Sequence, residues 1–185
     1  LPSRGRALAP GDVLVLVRRR NAFARARVRA LKARGVPVAG LDLLVLTEQP
    51  AVADLLALCD ALLLPEDDLS LASVLTSPLG GLTDDSLMAL ATRRPGTLWA
   101  ALRARAAERA DWAAARDFIA TLLARVDYVS PHALLAEALG PLGGRARLFA
   151  RLGPDAAEPV DELLQAALTY ARGHPPALQG FVQWL

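Results

Sequence analysis

The chain has little of what builds sheets or does chemistry. Among its 185 residues Ile occurs once, at Ile119, and Lys once, at Lys32, against 20 Arg. With Ile nearly missing, the β-branched strand formers reduce to Val and Thr, and a mostly helical protein is expected. The two histidines, His132 and His174, have no partner at ligand or acid–base spacing, so surface or capping roles are expected for both. A lone cysteine, Cys59, excludes an intrachain disulfide. It reads as a small core residue in a reducing, cytoplasmic setting. Aromatic residues make up 5%, and Trp99, Trp112 and Trp184 fall at apolar helical positions, as core anchors do. There is no Gly-rich phosphate loop with Lys and Ser/Thr and no paired metal motif. No signal peptide is evident at the N-terminus. The longest apolar run, Leu55 to Leu64, is interrupted by Asp60 and is too short to span a bilayer. No membrane partner is expected.

What is abundant is Ala and Leu, 37 of each, with 54% hydrophobic residues and a mean hydropathy of +0.31. Both residues favour helix, and the length suffices to bury a sizeable core. The scarcity of Lys and Ile beside abundant Ala, Arg, Gly and Pro matches a GC-rich coding sequence. The Arg excess is therefore no nucleic-acid signature by itself. The net charge of +2 hides an asymmetry. Residues 1–34 carry ten Lys/Arg against Asp12, a net +9, and residues 35–92 carry nine Asp/Glu and no Lys/Arg, a net −9. Such blocks make opposing surfaces of one fold, a basic face meant for an anion, or an internal arrangement of ion pairs between the two.

The fold expected is mostly α, a multi-helix domain with a small N-terminal βαβ piece. Val13–Val17 reads as a buried strand that delivers Arg18, Arg19 and Arg20 to its C-terminal edge. Asn21 caps a helix to about Arg34, where Gly35 ends it. Val36-Pro37-Val38 is the second strand. From Pro50 the pattern is helical almost without pause. Pro50 opens a helix to about Leu64, and Asp68 caps Leu69–Thr76. Ser77-Pro78-Leu79-Gly80-Gly81-Leu82 is a tight turn, and Thr83 caps a helix whose first turn holds Asp84 and Asp85. Thr97, Asp111 and Ser130-Pro131 mark further starts, for about nine helices in all. The turn at 77–83 offers backbone N–H groups at a helix start, the helix-hairpin-helix way of gripping a phosphate without reading a base. A base-reading helix is excluded there, because Asp84-Asp85 would repel the phosphates it must approach.

Three features in order carry a resemblance: Asp12-Val13-Leu14-Val15-Leu16-Val17-Arg18, then Glu66-Asp67-Asp68-Leu69-Ser70-Leu71, then Ser77-Pro78-Leu79-Gly80-Gly81-Leu82-Thr83. Together with Tyr128-Val129-Ser130-Pro131 and the stretch Leu178 to Leu185, they resemble superfamily-1A DNA helicases of the UvrD/Rep/RecB type. The similarity is greatest to the AddA helicase–nuclease subunits of bacterial double-strand-break repair enzymes. The resemblance implies that residues 1–47 are the edge of the RecA-like domain 2A and that 48–185 are a helical 2B-like domain. It implies a nucleotide-phosphate contact at Arg18, with Arg19 and Arg20 as alternatives. It also implies backbone contacts to double-stranded DNA ends at Gly80, Gly81 and Thr83. Gly81 matches a family glycine, whereas Gly80 replaces a basic residue and Thr83 a second glycine. ATP and Mg are the implied cofactors of the parent protein, with none expected in this stretch, which carries no complete catalytic set and no metal site. The implied partners are DNA ends, an AddB-like subunit and the other helicase subdomains. The competing expectation is a free-standing all-helical adaptor that binds protein.

Overall fold

The computed structural model describes residues 9–15, 27–28, 30–31, 33–38 and 45–185, and the chain divides into two units, Leu1–Leu44 and Val45–Leu185. The described residues are mostly helical and include no strand.

Among the described residues of the first unit a 3-10 turn, Pro10–Asp12, is closed by Asp12 Oδ2, which accepts from the Ala9 N–H at 3.0 Å. Val13, Leu14 and Val15 follow without strand pairing and are exposed, Leu14 by 81%. Among the described residues the expected buried strand at Val13–Val17 is not supported, Leu16 and Val17 lying outside them, and with Val36 to Val38 also unpaired neither is the βαβ piece. A strand persists only where a neighbour takes up its N–H and C=O groups, and none of the described residues does so. Residues 27, 28, 30 and 31 are helical. Their helix closes as expected at Gly35, which has φ +70°, while the Arg34 and Val36 N–H groups both donate to the Leu31 carbonyl at 3.0 Å. Arg18, Arg19, Arg20 and Asn21 lie outside the described residues.

The second unit is a stack of helices joined by short turns. Pro50 opens α1 (Pro50–Leu63), whose buried residues include Ala51, Val52, Leu55, Leu58, Cys59 and Leu62, which recur at helical spacing. Helix α1 is central. It packs against α2 (Asp68–Thr76), α5 (Ala110–Leu123), α7 (Gly144–Leu152), α8 (Ala157–Ala171) and α9 (Leu178–Trp184). Helices α3 (Asp84–Ala91) and α4 (Leu98–Arg105) pack on each other and on α2, and α6 (Pro131–Leu139) packs on α5, α7 and α8.

The adjacent aspartates before Leu69 have separate tasks. Asp67, not Asp68, is the N-cap of α2: its carboxylate accepts from the Leu69 N–H at 3.0 Å and the Ser70 hydroxyl at 2.6 Å. Asp68 reaches across to α4, accepting from the Leu98 N–H at 2.6 Å and pairing with Arg94. One carboxylate thus starts its own helix, while the next ties down the start of another. Thr83, Thr97 and Ser130 cap their helices as their positions predict. Asp111 lies in the first turn of α5, one residue beyond its start at Ala110.

Trp99 and Trp112 are core residues, but Trp184 is 43% exposed. It leans on the ring of Tyr170, which also stacks on His174 with centroids 4.6 Å apart. The backbone approaches closely here, since a Cβ at Gly180 would collide with the Tyr170 hydroxyl. Trp112 is held by a polar chain. Its Nε1 donates to Ser86 Oγ at 2.9 Å, and Ser86 donates in turn to Asp111. Asp111 also takes a two-pronged contact from Arg109 at 2.9 and 3.0 Å. These bonds bring Asp111 to about 2 from 3.8, the Arg109 guanidinium being the largest cause.

Candidate functional site

The turn between α2 and α3 is built from its own hydrogen bonds. Ser77 Oγ donates to the Val74 carbonyl at 2.7 Å and accepts from the Leu79 N–H at 3.1 Å. The Gly81 N–H donates to Ser77 O at 2.9 Å, and the Leu82 N–H to Leu75 O at 2.8 Å. Leu79 and Leu82 are buried and anchor the turn in the core. Gly80 is demanded by packing: a Cβ there would lie 2.5 Å from Leu75 Cα and from the Val74 carbonyl oxygen. Gly81 is demanded by conformation, with φ +75° in open space. Thr83 is exposed, and its hydroxyl oxygen accepts from the Ser86 N–H at 3.2 Å.

Of the three residues expected at a DNA contact, Gly81 lines an open groove of about 410 Å³, walled on one side by Thr76, Ser77, Pro78 and Leu82. Gly80 is buried and Thr83 stands at the head of α3, and neither lines the groove. The other wall is α7, with Arg147, Ala150 and Arg151. Two glycines bring α7 there. Gly143 precedes it at φ +75°. Gly144 leaves room for the Ala138 carbonyl, 2.5 Å from where a Cβ would stand, and for Leu79 of the turn at 3.1 Å.

The two arginines differ in setting. Arg151 is exposed, and its Nη1 donates to the Thr76 carbonyl at 3.0 Å. Such a contact satisfies one of the carbonyls that a helix end leaves open. The field of Arg151 also reaches Asp54, whose carboxyl burial nevertheless holds above the usual range. Arg147 is half-buried. Its Nη2 donates to the Leu142 carbonyl at 2.9 Å, its guanidinium lies 4.7 Å over the Phe118 ring, and its Nε is buried without a partner. Burial depresses its pKa. Among the described residues neither arginine forms an ion pair, whereas Arg105, Arg109, Arg125 and Arg145 each do.

Sequence reasoning missed Arg147 and Arg151. The signal available was their four-residue spacing in Gly144-Arg145-Ala146-Arg147-Leu148-Phe149-Ala150-Arg151-Leu152, which sets two cations on one helix face. Nothing in that spacing says that the face meets a turn some 65 residues earlier. Arg18, the expected nucleotide contact, lies outside the described residues. Among the described residues no cluster of three or more His, Cys, Asp or Glu is placed to hold a metal. No helix among them is long and apolar enough to cross a membrane. Compared with known proteins, the chain matches no family model and no curated protein.

Proposed function

We propose that the chain is part of a cytoplasmic, ATP-dependent DNA helicase–nuclease of the AddA type, acting in double-strand-break repair and recombination. Its helical unit, Val45–Leu185, is the 2B-like domain that positions duplex DNA or regulates the motor, alongside an AddB-like partner and the other helicase subdomains. The single observation that carries this reading is the α2–α3 hairpin. The two later stretches of the resemblance, Glu66 to Leu71 and Ser77 to Thr83, fall in one helix–turn–helix, capped by Asp67 at one start and Thr83 at the other. ATP and Mg belong to the parent protein on this reading, with Arg18 as the residue that reaches the nucleotide. The test is the coding sequence on either side of the chain. A Gly-Lys-Thr phosphate loop upstream and the later helicase motifs downstream are expected; flanks that encode neither would overturn it.

A second reading, a protein-binding adaptor, is favoured by Leu64 and Leu69, exposed by 58% and 77% on either side of the acidic Glu66-Asp67-Asp68. It predicts a partner protein and no salt-sensitive affinity for DNA.

A further inference from the structure

We infer that Arg147 and Arg151 of α7, facing the Thr76–Leu82 wall of the α2–α3 turn, form a binding site for the phosphates of a duplex DNA backbone. The inference rests on the helicase reading and assigns the contact to residues which that reading does not name.

The turn alone is a poor phosphate grip. The N–H groups of Leu79, Gly81 and Leu82 are spent on Ser77 and Leu75, and the Thr83 hydroxyl oxygen is engaged by the Ser86 N–H. The first turn of α3 carries Asp84 and Asp85, which repel an anion. Positive charge reaches the groove from α7 instead. A guanidinium has five N–H donors, and Arg147 and Arg151 each spend one of them on a carbonyl. The bond to Thr76 fixes Arg151 at the rim with donors to spare. Arg147 is a cation drawn partly out of water with no ion-pair partner among the described residues, a position that a bound anion would relieve. The arginines sit four residues apart, about 6 Å along the helix axis, so each can address its own phosphate on one strand. The groove is open along its length, which suits a polymer backbone better than an enclosed small molecule. Contacts to phosphates alone carry no base information, so binding of this kind is independent of sequence.

The experiment is fluorescence anisotropy of the 185-residue chain with two labelled duplexes of unrelated sequence across a salt series. The chain should bind both weakly and equally, with affinity falling as salt rises. R147Q/R151Q should weaken binding about tenfold or more at low salt and cut the slope of log affinity against log salt by nearly two. R147K/R151K should restore most of both, and R103Q, which removes an exposed charge away from the groove, should change binding less than about twofold. Circular dichroism melts establish that each variant is folded. The inference is overturned by equal affinity and slope in R147Q/R151Q, by equal weakening in R103Q, by no binding by the unaltered chain at low salt, or by displacement of DNA by a phosphoserine peptide at lower concentration than by unlabelled duplex. Strand separation by the whole protein judges the helicase reading separately. Unwinding with unaltered binding by R147Q/R151Q sinks this inference alone, and arginine-dependent binding without unwinding sinks the helicase reading alone.

Discussion

Arg151 Nη1 donates to the carbonyl oxygen of Thr76 at 3.0 Å, joining residues 75 apart in sequence and tying α7 to the C-terminal end of α2. The contact is exposed, so its contribution to stability sits at the low end for a charge-assisted bond. Arg151→Ala should lower the unfolding free energy by about 1 kcal/mol in a urea titration. A change of several kcal/mol would mean that the side chain also packs, and no change would mean that water replaces it without loss.

Gly80 and Gly81 are adjacent but required for different reasons. Gly80→Ala drives a methyl into Leu75 and Val74 backbone, which cannot give way as a side-chain tip can. The expected cost is roughly 3 kcal/mol. Gly81→Ala meets no atom and pays only for its left-handed backbone, about 1 kcal/mol. Urea midpoints for the two variants should differ in that order, and the reverse order would contradict the geometry.

The Asp111 carboxylate, held at about 2 against 3.8 by Arg109 and Ser86, makes stability depend on acid. A carboxylate depressed in the folded state stabilises above its unfolded pKa, and the contribution is lost as pH falls through the folded value. Stability should therefore drop between about pH 4 and pH 2. In Asp111→Asn the denaturant midpoint should vary less across that window than in the unaltered chain. An identical profile would assign the acid sensitivity to Asp67 or Glu108, which are also held low by their hydrogen bonds.

Cys59 is buried on α1, and burial is the main cause that pushes its thiol up to about 12. The thiolate is the reactive form, so the native protein should resist a thiol reagent at neutral pH. Labelling should appear only at the rate of opening, rising with denaturant. Fast labelling of the folded chain would contradict the packing of α1.

The helices were legible because their starts are written locally. Pro50, Thr83, Thr97 and Ser130-Pro131 each act within three residues of themselves. Asp68 was misread because a cap position and a cross-chain anchor use the same side chain, and only the fold brings Leu98 and Arg94 to it. The strand expected at Val13–Val17 shows the opposite limit. An apolar run states a preference, but a strand needs a partner that no local pattern supplies. For the candidate site, Gly81 was legible as a turn glycine. Arg147 and Arg151 were not, since the turn they face is brought to them by Gly144 seating α7 against Leu79.

On the proposed helicase–nuclease reading the chain is part of a DNA-unwinding motor. The most direct measurement is strand separation of a blunt-ended duplex by the whole protein that contains the chain, with Mg and with or without ATP. The account predicts unwinding that requires ATP, together with ATP hydrolysis stimulated by DNA ends. Neither unwinding nor DNA-stimulated hydrolysis by folded protein would contradict it and favour the helical adaptor.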